Sequence, residues 1–213
     1  MPAPLAIDRG PRRPRRDVLA LLALAALAGV HPGAVAATLP VPAARFIDTL
    51  GQRVLAVLND NRLDRTARLE RLASILDEAT DLGLVARLVL GRYWREASEA
   101  QRREFVTLFR RLLLKTMADR LDTYGGETYE VLAAQAVDDR DTMVATRIRR
   151  PGAEPIAVDW RVRDLGGRLV LIDIVAEGVS MVVTQRSEAA EIVGRSGIDG
   201  LLAEMRRRLE PAA

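Results

Sequence analysis

Two acidic residues on neighbouring strand-like segments are the first candidates for chemistry in this chain. Asp159 and Asp173 lie in adjacent apolar-rich runs, and a facing pair of carboxylates is the arrangement that glycoside hydrolysis uses. Asp159, however, alternates with apolar residues and stands beside Arg161, so a solvated ion pair on the wet face of a sheet is the simpler interpretation. The sequence therefore gives a carboxylate-based hydrolase little support.

Histidine and cysteine chemistry is restricted by composition. The chain has one histidine, His31, and no cysteine. Catalysis by serine–histidine or cysteine–histidine pairs needs side chains that the sequence beyond His31 lacks. Structural zinc sites built on thiolate or imidazole are excluded for the same reason. We therefore expect a protein with no catalytic residues, no metal site and no cofactor.

Residues 1–36 have the order of a cleavable signal peptide. Arginines between positions 9 and 16 precede an uncharged apolar run from Val18 to Val30, and the small residues Ala34-Val35-Ala36 follow it. The run ends well short of the roughly 20 apolar residues that a membrane-spanning helix needs. We predict cleavage near Ala36-Ala37. The pair Arg15-Arg16 leaves both the general secretory route and twin-arginine export open.

Cleavage at that point would release residues 37–213 into the periplasm as a single domain. The formal net charge of +3 comes from the arginine-rich leader, so the exported part is close to neutral. A near-neutral domain has no net attraction to phosphate backbones, and nucleic acid is not an expected partner.

The first half of the exported part has a helical pattern. Apolar residues recur at spacings of three and four, which predicts helices at about 46–58, from 64, at 82–93 and at 98–124. Ser98 and Gln101 fit a capping box at the start of the last of these, and Gly125-Gly126 ends it.

The second half changes to an alternating, strand-like pattern. We predict strands, separated by Asp, Pro and Gly turns, at Thr128–Leu132, Thr142–Arg149, Ile156–Arg163, Arg168–Val175 and Gly178–Thr184. A closing helix at about 187–209, interrupted near Gly194–Gly200, follows them. The predicted fold is α+β, with helices packed on one face of a curved antiparallel sheet of four to five strands.

The interior between the long helix and the sheet is the candidate binding site. Its predicted lining is Phe105, Phe109, Leu112 and Leu113 from the helix, and Val158, Trp160, Val162, Ile172, Ile174, Val179 and Met181 from the strands. Such residues either fill a solid core or leave a cavity, and their pattern alone does not decide between the two. The mostly aliphatic lining suits a chain-shaped ligand better than a planar one.

Two blocks of motifs match a known family in order and spacing. The first block is Leu90-Gly91-Arg92-Tyr93-Trp94-Arg95 followed by Ala97-Ser98-Glu99-Ala100-Gln101-Arg102-Arg103-Glu104-Phe105. The second comprises Val158-Asp159-Trp160-Arg161-Val162, Asp173 to Val182, Arg186-Ser187-Glu188 and Gly197-Ile198-Asp199-Gly200-Leu201. In these motifs the chain resembles the toluene-tolerance or MlaC family of periplasmic phospholipid carriers, and the resemblance covers nearly all of residues 40–210.

This resemblance implies a soluble shuttle with a lipid pocket. The acyl chains would lie inside the protein and the head group at its mouth, and the lipid would move between the outer and inner membranes. The partners that the resemblance implies are an inner-membrane ABC transporter with a substrate-binding ring and an outer-membrane lipoprotein complex.

Two departures from the family pattern leave the identity of the lipid ligand open. Thr184-Gln185-Arg186 stands where an aromatic residue is expected, and Met117 occupies a position that is often tyrosine. A branch of the family is linked to hopanoids, so a flat polycyclic lipid is the alternative to a glycerophospholipid. A periplasmic adaptor that binds only proteins, with a filled core, is a second alternative.

Overall fold

The computed structural model describes residues 41–121 and 124–210. The predicted signal peptide, residues 1–36, and its cleavage point lie outside the described residues. The helices are α1 (Val41–Leu58), α2 (Arg65–Ala79), α3 (Leu82–Leu90), α4 (Tyr93–Glu96), α5 (Glu99–Leu121) and α6 (Met181–Leu209). The strands are β1 (Thr128–Ala136), β2 (Asp141–Arg149), β3 (Ile156–Asp164), β4 (Leu169–Ala176) and β5 (Val179–Ser180).

Helices α2, α3, α5 and α6 begin where capping side chains satisfy free N–H groups. The carboxylate of Asp64 accepts from the backbone N–H of Ala67 at 2.8 Å. At α5 the predicted capping box is confirmed, because Ser98 Oγ accepts from Gln101 N at 3.2 Å and Gln101 Oε1 accepts from Ser98 N at 2.9 Å. Local sequence thus fixes the start of the longest helix of the first half.

The strands form one antiparallel sheet in the order β1-β2-β3-β4-β5. Bulges interrupt the register between Val131 and Ala133 in β1, and where β4 passes Arg161 and Val162 of β3. A bulge adds local twist and bend to a strand, which gives the sheet its curvature. The predicted α+β class and the curved antiparallel sheet are confirmed.

Alternate residues of β3 divide the sheet into two faces, as predicted. We call the face that carries Trp160 and Val162 the inner face, and the one that carries Arg161 and Arg163 the outer face. On the inner face Val162 is buried with Ile47 of α1 in one apolar cluster. On the outer face both arginines bind Asp141. The sheet is therefore apolar on one side and charged on the other.

A tyrosine holds α1 against β1. The hydroxyl of Tyr129 donates to the Asp48 backbone carbonyl and lies 2.9 Å from Asp48 Oδ1. Burial, followed by these contacts with Asp48, raises the pKa of Tyr129 to about 12. The tyrosine ring lies so close to Gly51 that a side chain there would overlap it. Gly51 is thus required in the middle of α1 by this packing.

The prediction of a fifth strand over Gly178–Thr184 is wrong beyond Ser180. Strand β5 is only two residues long, and α6 begins at Met181. Ser180 Oγ accepts from Val183 N at 3.1 Å and donates to Asp173 Oδ2 at 2.5 Å. This cap, anchored on β4, starts a helix within a β-branched segment that has strand-like propensity. The predicted interruption of the last helix is confirmed at Gly197, where φ is 69°.

Most of the buried apolar residues form three clusters. The helical cluster joins α3, α5 and α6 and consists of Val85, Ala86, Val89, Leu90, Phe105, Leu108, Phe109, Val182, Ala189, Ile192, Val193, Leu201, Leu202 and Met205. The sheet cluster joins α1 to the inner face and consists of Ala43, Ala44, Ile47, Ala134, Val144, Val162 and Leu171. The α1–α2 cluster, which includes the end of α5, consists of Val57, Leu72, Ile75 and Leu121. No helix within the described ranges combines the length and apolarity that crossing a membrane requires.

Candidate functional site

The apolar stripe of α5 is buried at its ends and partly exposed in its middle. Phe105, 2 % exposed, belongs to the helical cluster, and Leu121, 7 % exposed, belongs to the α1–α2 cluster. Between them Leu112, Leu113 and Met117 continue the same spacing but retain solvent exposure. The middle of α5 is therefore an apolar surface that the described residues do not fully cover.

The four residues predicted to line the site from α5 lie together. Phe105 and Phe109 stack with ring centroids 5.9 Å apart and an interplanar angle of 10°. Both are buried in the helical cluster, whereas Leu112 and Leu113 pack against its margin. Of these four, the two leucines are the ones that keep partly exposed apolar surface.

The predicted strand residues divide into three groups. Val158, Val162 and Ile172 are buried. Trp160 and Ile174, which face each other across β3 and β4, are partly buried at the margin of the sheet cluster. Val179 is 53 % exposed on β5, and Met181 is the partly exposed first residue of α6.

The helix set and the strand set therefore belong to different clusters. Phe109 packs with α3 and α6, whereas Val162 packs with α1. Sequence reasoning missed α1 as the helix that covers the inner face. Phe46 and Leu50 of the α1 stripe pack against the sheet cluster, and Leu50 also packs against the α1–α2 cluster. The regular spacing of that stripe indicated an inward face, but it did not indicate the partner.

The two candidate carboxylates lie diagonally on the outer face, and one of them, Asp173, is engaged in hydrogen bonds. Asp173 accepts from Ser180 Oγ, from Val182 N at 3.0 Å and from its neighbour Ile174 N at 2.8 Å. In the sheet Asp159 stands opposite Val175, and burial raises the pKa of the Asp159 carboxyl. Asp173 therefore anchors the start of α6.

The expected ion pair between Asp159 and Arg161 is wrong. Arg161 Nη2 lies 2.7 Å from Asp141 Oδ2, and Arg163 binds the same carboxylate. Asp141 attracts both arginines because it stands opposite Arg163 and diagonal to Arg161 on the outer face. In the part of the chain that the structure describes, no group of three acidic, histidine or cysteine side chains could hold a metal ion.

The turn between β4 and β5 is held by Glu177. Glu177 and Gly178 have φ values of 49° and 79°, and this left-handed pair makes a two-residue hairpin. Glu177 Oε1 accepts from Ala157 N at 2.7 Å, and Glu177 N donates to Ala157 O at 3.1 Å. The hairpin thus fixes the position of exposed Val179 relative to β3.

Most arginines of the runs Arg102-Arg103, Arg110-Arg111 and Arg206-Arg207-Arg208 form ion pairs within the chain. Arg110 binds Asp77 with Nη2 at 2.6 Å from Oδ2, which joins α5 to α2. Within α6, Arg208 binds Glu188 at 2.6 Å across the bend at Gly197. Arg206, nearby, binds Glu104 of α5. The pairs of Arg110 and Arg206 therefore connect α5 to α2 and to α6.

The comparison with known families gives one match that spans most of the chain. Residues 48–207 match the sequence model of the family described as MlaC protein. A curated relative, the intermembrane phospholipid transport system binding protein MlaC of Haemophilus influenzae, is 27 % identical over 123 residues. That alignment covers 56 % of this chain and 58 % of the relative, so the matched part is little more than half of the relative's length.

A solved structure has the same fold. The phospholipid-binding protein of Ralstonia solanacearum, determined in complex with a phospholipid, superposes with a TM-score of 0.70 at 25 % sequence identity. The superposition covers 78 % of this chain and 96 % of the Ralstonia chain.

Proposed function

Since the chain belongs to the MlaC family, we propose that it is a periplasmic lipid carrier that takes up a phospholipid and shuttles it between the outer and inner membranes. The relative from Haemophilus influenzae is a phospholipid transport binding protein, and the Ralstonia solanacearum protein of the same fold holds a phospholipid. The role that these similarities support is binding and transport, without catalysis.

The observation that carries this proposal is the division of the apolar interior. Domains usually have one contiguous core with smaller satellite clusters. Here the helical cluster and the sheet cluster share no residue, and Leu50 connects the sheet cluster to the α1–α2 cluster. Partly exposed apolar residues lie at the cluster margins, including Leu113 on α5 and Trp160 and Ile174 on the sheet. Interiors normally pack densely. Incompletely buried apolar margins between separate cores are therefore well suited to hydrocarbon chains supplied by a ligand.

The energy of hydrocarbon transfer sets what such a site must do. Each methylene moved from water to apolar surroundings gains about 0.8 kcal/mol, so two acyl chains of roughly 30 methylenes in total represent about 25 kcal/mol. A carrier that left half of this surface in water would not extract a lipid from a membrane. Both chains must therefore be largely enclosed between the clusters.

Within this proposal the predicted lining residues have different roles. The partly exposed members, Leu112, Leu113, Trp160, Ile174 and Met181, would contact the lipid. The buried members would support them from behind. The exposed hairpin residue Val179 would lie at the mouth, near the head group.

Location and partners follow from the same proposal. The leader at residues 1–36 would direct export to the periplasm, and residues 37–213 would act there as a single domain. The carrier would exchange lipid with an outer-membrane lipoprotein complex and with the substrate-binding ring of an inner-membrane ABC transporter. A glycerophospholipid is the proposed cargo, and a hopanoid is the alternative that the departures at Thr184-Gln185 and Met117 raise.

Transfer between vesicles tests this function. Donor vesicles carry a self-quenched fluorescent phosphatidylglycerol, acceptor vesicles carry none, and the purified protein is added without its leader. We expect dequenching in proportion to protein concentration, without mixing of the vesicle contents. A rate equal to spontaneous transfer at every protein concentration would contradict the proposal. Parallel vesicles that carry a labelled hopanoid distinguish the two cargoes.

A further inference from the structure

A buried hydroxyl lies on the otherwise apolar inner face of the sheet. Thr146 of β2 is 1 % exposed, and it is one of two buried polar or charged side chains in the described ranges, with Asp141 on the opposite face. Its hydroxyl donates to the Val158 carbonyl at 2.8 Å and accepts from Trp160 Nε1 at 2.8 Å. Both capacities of the hydroxyl are therefore used inside the protein.

This hydrogen bond fixes the orientation of a partly exposed ring. Trp160 stands opposite Val144 of β2, and Thr146 is the diagonal neighbour on the same face. The bond turns the nitrogen edge of the indole toward the sheet. Trp160 remains partly exposed, next to Ile174, which is also partly exposed. What the indole presents away from the sheet is therefore carbon.

A tryptophan beside hydrocarbon needs such a partner. An indole N–H without an acceptor in apolar surroundings loses the hydrogen bond that water would give it. Leaving such a donor unsatisfied therefore destabilises the complex that buries it. Valine in place of Thr146 would have nearly the same shape but could not accept this bond, whereas serine could.

We propose that Thr146 is a specificity-determining residue that acts through Trp160. Its hydroxyl satisfies the indole N–H, so this wall of the site accepts unsubstituted hydrocarbon. The wall then offers no hydrogen-bond donor to an oxygenated chain. The inference rests on the proposed function and extends it to the chemistry of the chain that the site accepts. Without the hydroxyl, the indole N–H of Trp160 would have no acceptor. Binding of a plain acyl chain would then be weaker, and binding of a chain that carries its own acceptor would be favoured.

A double-mutant cycle tests the proposal. The proteins are wild type, Thr146→Val, Trp160→Phe and the double variant, with Thr146→Ser as the control that keeps the hydroxyl. Binding is measured with a pyrene-labelled phosphatidylglycerol and, by competition, with plain and mid-chain-hydroxylated fatty acids. We expect Thr146→Val to weaken plain-chain binding about 10-fold and to reduce the preference for plain over hydroxylated chains. Thr146→Ser is expected to match wild type.

The Trp160→Phe background separates positioning from structure. Phenylalanine has no N–H, so adding Thr146→Val there should change binding by no more than about 2-fold. An equal loss in both backgrounds, or an unchanged chain preference in Thr146→Val, would overturn the inference while lipid binding by wild type stands. A wild-type protein that binds no probe would overturn the proposed function and this inference with it.

A spectroscopic readout follows the hydrogen bond without lipid. Trp94 and Trp160 are the two tryptophans of the chain, so Trp160→Phe assigns their indole N–H resonances. In the empty protein we expect the Trp160 indole hydrogen to exchange slowly in wild type and Thr146→Ser, and quickly in Thr146→Val. Equal exchange rates in all three proteins would contradict the role of Thr146.

Discussion

The guanidinium of Arg163 binds the buried carboxylate of Asp141 through two hydrogen bonds, with Nε 2.6 Å from Oδ1 and Nη2 2.7 Å from Oδ2. Arg161 adds two contacts to Oδ2, from Nε at 2.8 Å and from Nη2 at 2.7 Å. Asp141 is 1 % exposed. Bidentate pairs of this kind are strong and directional, and this one ties the start of β2 to β3 on the outer face.

Removing the Asp141 charge should destabilise the fold. Asp141→Asn leaves two arginines without their shared carboxylate, and breaking a buried pair costs about 3–5 kcal/mol. We expect a loss of about 3 kcal/mol in the free energy of unfolding, measured by urea denaturation. Asp139→Asn, at an exposed position two residues away, is the control and should have little effect. Equal losses in the two variants would contradict the account of this pair.

Acid should weaken the protein through the same carboxylate. Arg163, then Arg161, holds the pKa of Asp141 below its ordinary 3.8, and Arg110 lowers the pKa of Asp77. A carboxyl with a depressed folded-state pKa contributes stability above its unfolded pKa, and this contribution is lost as the pH falls. We expect the urea midpoint to fall as the pH drops below about 4. In Asp141→Asn the decline should be shallower, and an identical decline would count against this assignment.

Alkali should release the contact between α1 and the sheet. The pKa of Tyr129 is raised from 10.0 to about 12, so the folded state retains a proton that the unfolded state loses. Stability is therefore complete below pH 10 and is lost as the pH rises toward 12. In an ultraviolet titration of the three tyrosines we expect one to ionise late, and Tyr129→Phe to remove that step. Three tyrosines that titrate together in the wild-type protein would disagree with the structure.

The sequence predicted those elements whose signals are local. Ser98 and Gln101 are three residues apart, so the start of α5 could be read from the chain, and the left-handed glycines at the sheet turns could be anticipated in the same way. The start of α6 could not be predicted, because it depends on Asp173 of β4 holding Ser180. The β-branched residues after Gly178 have a high β-strand propensity, and the hydrogen bond between Ser180 and Asp173 overrode it.

The sequence predicted which apolar residues of the candidate site face inward, but not which of them pack together. Phe109 and Val162 are both apolar residues with inward spacing, and sequence alone gives no reason to separate them. The structure assigns them to different clusters because α1, rather than α5, covers the inner face. Thr146 has the side chain of an ordinary strand residue, and its link to Trp160 becomes visible only from the register of β2 and β3.

Polar substitution on the middle of α5 should affect binding more than folding. Leu113 is partly exposed at the margin of the helical cluster, so Leu113→Gln would place an amide against the lipid chain. We expect phospholipid binding to weaken about 10-fold, with a smaller change in the urea midpoint than core substitutions cause. Leu165→Gln, in a loop where the leucine is 39 % exposed, is the matched control and should bind as wild type. Equal phospholipid binding by both variants would contradict the assignment of Leu113 to the lipid-binding site.

Identifying the lipid that co-purifies with the protein is the most direct test of the central claim. The full chain, with its leader, is expressed in a Gram-negative host, purified from the periplasm without detergent, extracted with organic solvent and analysed by mass spectrometry. We predict a stoichiometric amount of a glycerophospholipid, which is greatly reduced in Leu113→Gln and retained in Leu165→Gln. A wild-type protein that yields no lipid, and that takes none from defined liposomes afterwards, would contradict the account.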